Sequence, residues 1–170
     1  KALTSGYQPL SALLVGDRIS ATLVEKGGEF YHGYTYSGHP VACAVALKNL
    51  EIIEREGLVD RVRNDTGPYF AKALQERIAG HDLVGEVRSI GLMGAIEIVK
   101  DKATKERFLP SGSAAVVVRD HAIAQGMMMR ATGDTMILSP PLIWTRDTID
   151  MACDRIARAL DLAQADLRKP

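Results

Sequence analysis

Apolar residues recur along this chain with two periods, and the alternation between them marks out its elements. Ser11–Gly16 is a short unbroken apolar run ended by Gly-Asp, which predicts a buried strand. Asp17 is placed to cap a short helix through Ile19, Leu23 and Val24, stopped by Gly27-Gly28. Pro40 suits the first turn of the next helix, where its missing N–H has no intrahelical partner. That helix runs to about Glu56 with Ala42, Ala46, Leu50 and Ile53 on one stripe. Its small-residue first half, Val41 to Ala46, predicts burial on all sides. Phe70, Leu74 and Ile78 repeat at four-residue spacing in a helical stretch from Val59 to about Ala79, which Gly67-Pro68 kinks or restarts.

From Leu83 the period drops towards two. Val84, Val87 and Ile90, then Leu92 to Ile98, predict two strands hinged at Gly91. A charged, exposed segment from Asp101 to Phe108 leads to a helix over Ser113–Gln125, ended by Gly126. Met127–Arg130 and Met136–Ser139 predict two short strands joined at Gly133-Asp134. Thr145 caps a last helix in which Ile149, Cys153, Ile156 and Leu160 repeat at three- and four-residue spacing. The order is helix, sheet, helix, sheet, helix, an α/β organisation without internal repeats.

Composition narrows the function classes. The chain has 170 residues, 46% of them apolar, with 21 basic and 21 acidic side chains. No global field therefore favours nucleic acid or an anionic membrane. No apolar run is long enough to cross a bilayer, and no charged-then-apolar leader opens the chain, so a cytoplasmic protein is expected. Cys43 and Cys153 lie inside helical apolar patterns and read as buried free thiols. His32, His39, His81 and His121 share no metal-ligand spacing, and no metal is expected. The chain begins with Lys and reads as a fragment.

Three places carry candidate chemistry. Lys1 offers an amine at the mouth of the small-residue turn Lys1–Leu10; in a pocket that depresses its pKa such an amine is a nucleophile, though position alone gives a solvated terminus. The loop His32–Pro40 offers the hydroxyls of Thr35 and Ser37 ahead of a helix start, where they hold an anion or simply cap the helix. The stretch 29–39 gathers aromatics, since Phe30, Tyr31, Tyr34 and Tyr36 fall within seven residues, as in a pocket wall or a subunit contact. Arg130 is a lone arginine in an apolar setting, which grips a carboxylate or pairs with Asp134. Trp144 reads as core or interface filler.

The stretches KALTSGYQPLSA at 1–12 and HGYTYSGHP at 32–40 resemble the class III pyridoxal-phosphate aminotransferases, most nearly omega-transaminases that use pyruvate as amino acceptor. VGEVRSIGLM at 84–93 and LSPPLI at 138–143 are similar to the C-terminal domain of that family, so the resemblance runs the length of the chain. It implies fold type I, with residues 1–56 ending the large cofactor-binding domain and 57–170 forming the small C-terminal α/β domain. It implies pyridoxal 5'-phosphate as cofactor, Lys1 as the lysine of its internal aldimine and the proton carrier, and Thr35 on the cofactor phosphate of a second subunit. It also implies Tyr34 on the pocket wall, and an Arg130 that swings in to hold the pyruvate carboxylate and out to admit substrates lacking one. Small-molecule amines and keto acids are the implied partners, within a homodimer or tetramer of shared active sites. The acid on the pyridine nitrogen, the aromatic stacked on the ring and the main phosphate loop belong to an N-terminal half that these residues do not include. A decarboxylase or an aminomutase on the same lysine remains an alternative, as does a non-catalytic dimerisation domain.

Overall fold

A computed structural model describes residues 1–168. The chain divides into two compact units, Lys1–Gly57 and Leu58–Pro170.

In the first unit the chain enters through a 3-10 turn, Ala2–Thr4, closed by Ser5 in the left-handed region at φ 51°. Thr4 is buried, and its hydroxyl donates to the Gln8 carbonyl. Helix α1 spans Asp17–Lys26 and helix α2 spans Pro40–Arg55. Asp17 lies in the first turn of α1 rather than at its cap, which is Gly16. Pro40 opens α2 as expected, and the cap is His39, whose Nδ1 accepts from the Ala42 N–H at 3.4 Å.

Two expectations for this unit are overturned. Ser11–Gly16 forms no strand: a strand exists only by pairing, and no described segment of the unit pairs with it. Leu13 and Leu14 are instead 89% exposed each. The first half of α2 is buried on one face only. Ala42 and Ala46 are buried while Val41 and Ala44 are exposed, because a single stripe, continued by Asn49, faces the opening turn. Cys43, just off that stripe, is half-buried.

The second unit is a two-layer α/β sandwich. Helix α3, Leu58–Arg61, passes through a π-helical segment, Val62–Thr66, into α4, Gly67–Arg77. The restart expected at Gly67-Pro68 has a steric cause. A methyl group on Gly67 would stand 2.4 Å from the Val62 carbonyl oxygen and 3.1 Å from the Cα of Gly91, so only glycine lets the wide turn close against the hairpin. Strands β1, Val84–Ile90, and β2, Met93–Ile98, form that hairpin, with Gly91 at φ 53° in its turn.

Helix α5, Ser113–Ala124, precedes β3, Arg130–Thr132, and β4, Thr135–Leu138; α6, Arg146–Leu167, completes the unit. Strand β3 begins at Arg130, later than the methionine run predicts, and Met127–Met129 lead into it without regular structure. The two predicted strand pairs join in one antiparallel sheet of order β1-β2-β4-β3. Alternation assigns its faces. Val84, Val87, Ile96, Ile98, Met136 and Leu138 are buried in one core with Phe70, Leu74 and Ile78 of α4, Val118 of α5, and Ile149, Cys153, Ile156 and Leu160 of α6. The residues alternating with them form the opposite, open face, with β1 changing parity at a register shift between Val84 and Glu86.

No helix among the described residues is long and apolar enough to cross a membrane.

Candidate active site

Lys1 sits at the head of the opening turn, exposed, and its amine makes no hydrogen bond or ion pair among the described residues. The turn behind it is held from a distance. Asn49 Nδ2, on α2, donates to the carbonyls of Ala2 at 3.1 Å and Leu3 at 3.2 Å, and the Gly6 N–H donates to the Lys1 carbonyl at 2.8 Å. Asn49 was not singled out from the sequence. The available signal was a polar residue on the stripe Ala42, Ala46, Asn49, spaced i, i+4, i+7, where an apolar side chain would continue the pattern.

The loop ahead of α2 is a tight turn. The Tyr34 N–H donates to Ser37 Oγ at 3.0 Å, the Ser37 N–H to the Tyr34 carbonyl at 2.9 Å, and the His39 N–H to the Tyr36 carbonyl at 3.2 Å. Ser37 is thus consumed by the turn, and helix capping falls to His39 rather than to either hydroxyl. The Thr35 hydroxyl and the N–H groups of Thr35 and Tyr36 make no hydrogen bond among the described residues. Tyr34 is 77% exposed and meets His32 edge-on, ring centroids 5.4 Å apart, while His32 meets Phe30 in the same way at 5.8 Å.

A primary amine of this kind can condense with a carbonyl, and a hydroxyl with two N–H donors ahead of a 16-residue helix can hold an anion. Lys1 and Thr35 belong to the same unit but share no hydrogen bond.

Arg130, in the other unit, is the first residue of β3, exposed, and paired across the ladder with Ile137. The ion pair with Asp134 does not form. Asp134 is turned inward, 5% exposed, and its carboxylate accepts from Ser111 Oγ at 3.0 Å and from the Gly112 N–H at 2.6 Å. The Arg130 guanidinium makes no ion pair or hydrogen bond among the described residues. Beside it the open sheet face carries a groove of about 380 Å³ lined by Arg88, Ile90, Met93, Ala95, Ile137 and Ser139. Trp144 packs partly buried against the core. Cys153 lies fully inside that core, where burial pushes its thiol up to about 11. No group of three or more metal-ligating side chains occurs among the described residues.

The model of the family described as aminotransferase class-III matches residues 1–160. The chain belongs to that family. It is 47% identical over 165 residues to the putrescine–pyruvate aminotransferase of Pseudomonas aeruginosa, covering 97% of this chain and 36% of that protein. It is 40% identical over 166 residues to the diaminobutyrate–2-oxoglutarate transaminase of Halomonas elongata, covering 95% and 35%. Among solved structures, an engineered thermostable omega transaminase superposes with a TM-score of 0.90 at 38% identity, over 98% of this chain and 37% of that one. The omega transaminase of Pseudomonas jessenii in complex with PMP superposes with a TM-score of 0.87 at 39% identity, over 96% and 36%. The fold is accordingly that of a portion of a fold type I, pyridoxal-phosphate-dependent transferase. The chain spans about a third of the length of the curated relatives it matches.

Proposed function

We propose that these residues form the C-terminal part of an aminotransferase that moves an amino group from an amine or omega-amino acid to pyruvate. Residues 1–56 would end the cofactor-binding domain and 57–170 form the small domain. The observation that carries the reading is the free Lys1 amine, set on a turn that Asn49 pins to α2 in a chain of this family. Pyridoxal phosphate, when bound, supplies the carbonyl that receives the amino group and a conjugated ring that spreads the electron pair released at the substrate carbon.

The chain's own residues do the rest. Lys1 Nζ would hold the cofactor and, once displaced by a substrate amine, would take the proton from the substrate Cα and deliver it across the intervening nitrogen to the cofactor's C4′. Thr35, with its free hydroxyl and N–H, binds the cofactor phosphate of a second subunit, and the exposed Tyr34 walls the pocket; both roles make a homodimer or a tetramer with shared sites the working assembly. Arg130, an unpaired cation, holds the pyruvate carboxylate through its two-pronged guanidinium and withdraws for substrates that lack one. Its pull towards a keto acid weighs against an aminomutase on the same lysine, and a decarboxylase remains the alternative. The expected compartment is the cytoplasm, and the acid, aromatic and main phosphate loop of the pocket come from the N-terminal half of the enzyme.

Borohydride reduction of the full-length holoenzyme, followed by peptide mapping, tests the assignment. The cofactor is expected on Lys1. A reduced enzyme labelled elsewhere, with Lys1 unmodified, overturns it.

A further inference from the structure

On the open face of the sheet, strand register sets four residues in one row, Arg88, Ala95, Ile137 and Arg130, each directly opposite the next. The adjoining row is Glu86, Glu97, Thr135 and Thr132. The charges in these rows are unevenly matched. Arg88 is satisfied by Glu86 at 2.8 Å. Glu97, with its side chain 23% exposed, has only looser partners, Arg107 at 3.3 Å and Arg88 at 4.0 Å. Both exceed the 2.7–2.9 Å of a tight charge-assisted bond, and a carboxylate offers about four acceptor positions. One face therefore holds a cation with no partner and a carboxylate with acceptor capacity to spare.

The positions are mutually reachable. Glu97 lies two strands across from Arg130 and one two-residue step along, a Cα separation of about 12 Å from strand spacings of about 4.8 Å and a rise of about 3.4 Å per residue. An extended arginine and an extended glutamate together span that distance. The floor between them suits the arginine stem, because Ile137 offers an apolar surface for its methylenes and Ala95, with a single methyl, raises no wall beyond it.

We propose that Glu97 is the positioning residue that receives Arg130 when the arginine leaves the substrate, with Ile137 and Ala95 as the track it lies along. This rests on the substrate-gripping role given to Arg130 above. Glu97 then competes with the substrate carboxylate for one guanidinium. It lowers the cost of withdrawing the arginine for carboxylate-free substrates and correspondingly weakens the hold on pyruvate.

The test uses the full-length holoenzyme with pyruvate and with a carboxylate-free aldehyde as alternative acceptors. Glu97→Gln is expected to lower KM for pyruvate and raise it for the aldehyde, each by about two- to fivefold, the factor a partly exposed ion pair supplies. Binding of propionate, an unreactive carboxylate, should tighten in parallel. Ala95→Leu, which blocks the track while leaving Glu97 in place, should shift both constants in the same directions, and Glu97→Asp should restore part of the difference. Equal changes for both acceptors, or none, in Glu97→Gln and Ala95→Leu overturn the proposal. Arg130→Ala separates the two levels: if it weakens both acceptors equally, the gripping role itself fails, whereas a pyruvate-selective loss beside unresponsive Glu97 variants removes only the role of Glu97.

Discussion

The carboxylate of Asp134 accepts a 2.6 Å hydrogen bond from the Gly112 N–H, which ties the turn between β3 and β4 to the entrance of α5. The tie is buried, so its loss strands polar groups away from water. Asp134→Ala is expected to destabilise the protein by about 2–3 kcal/mol, with Asp134→Asn costing less because one acceptor remains. Denaturant unfolding of the two variants against the parent checks this. A cost for Asp134→Ala within about 0.5 kcal/mol, the range of an unremarkable surface change, would contradict the tie.

Asn49 bonds the turn behind Lys1 through two carbonyls at 3.1 and 3.2 Å. Replacing it with Ala removes two side-chain-to-backbone bonds, worth about 1–2 kcal/mol together. In the full-length enzyme kcat should fall by about tenfold while KM for pyruvate stays within twofold, because the loss concerns the amine rather than the carboxylate site. Steady-state kinetics at saturating amine reads the split.

Arg130→Ala should cost about 10- to 100-fold in kcat/KM for pyruvate, the scale of a charged hydrogen-bonded contact. A carboxylate-free aldehyde acceptor should lose less than threefold or gain. Comparing the two acceptors in one assay distinguishes carboxylate gripping from a general disturbance of the sheet.

Burial raises the Cys153 thiol from 9.0 to about 11. Above pH 9 the unfolded chain releases this proton while the folded chain keeps it, so the unfolded state binds fewer protons and stability falls as pH rises from about 9 to about 11. Below pH 9 the group contributes no slope. Unfolding curves across that window for the parent and Cys153→Ala should show a steeper decline in the parent. A thiol-reactive dye at pH 8 should reach the half-buried Cys43 well before Cys153.

Periodicity located what local contacts build. Ile149, Cys153, Ile156 and Leu160 specified α6 because a helix is made by neighbours three and four apart, and Phe70, Leu74 and Ile78 did the same for α4. The Ser11–Gly16 run misled because its apolar pattern describes a strand only when another strand lies beside it. The pairing of Ala95 with Ile137 was equally hidden, since it joins two hairpins more than 40 residues apart and leaves no mark on either segment alone. Without it Arg130 and Glu97 have no reason to be considered together.

The candidate site was legible only where motifs could be read as whole strings. Spacing gave Lys1, Thr35 and Arg130 no priority over a solvated terminus, a helix cap and an ion pair. The structure removes two of those plainer readings, because His39 takes the cap and Ser111 with Gly112 takes Asp134.

Strand β3 is three residues long and lies at one end of the sheet order, so it is bonded to β4 alone. Arg130 and Thr132 thus occupy a margin whose alteration disturbs one ladder and leaves the packed layer of α4, α5 and α6 untouched. Lineages descended from such a chain can exchange Arg130, the residue proposed to read the acceptor, at little risk to folding, which would make this margin a natural place for acceptor preference to diversify.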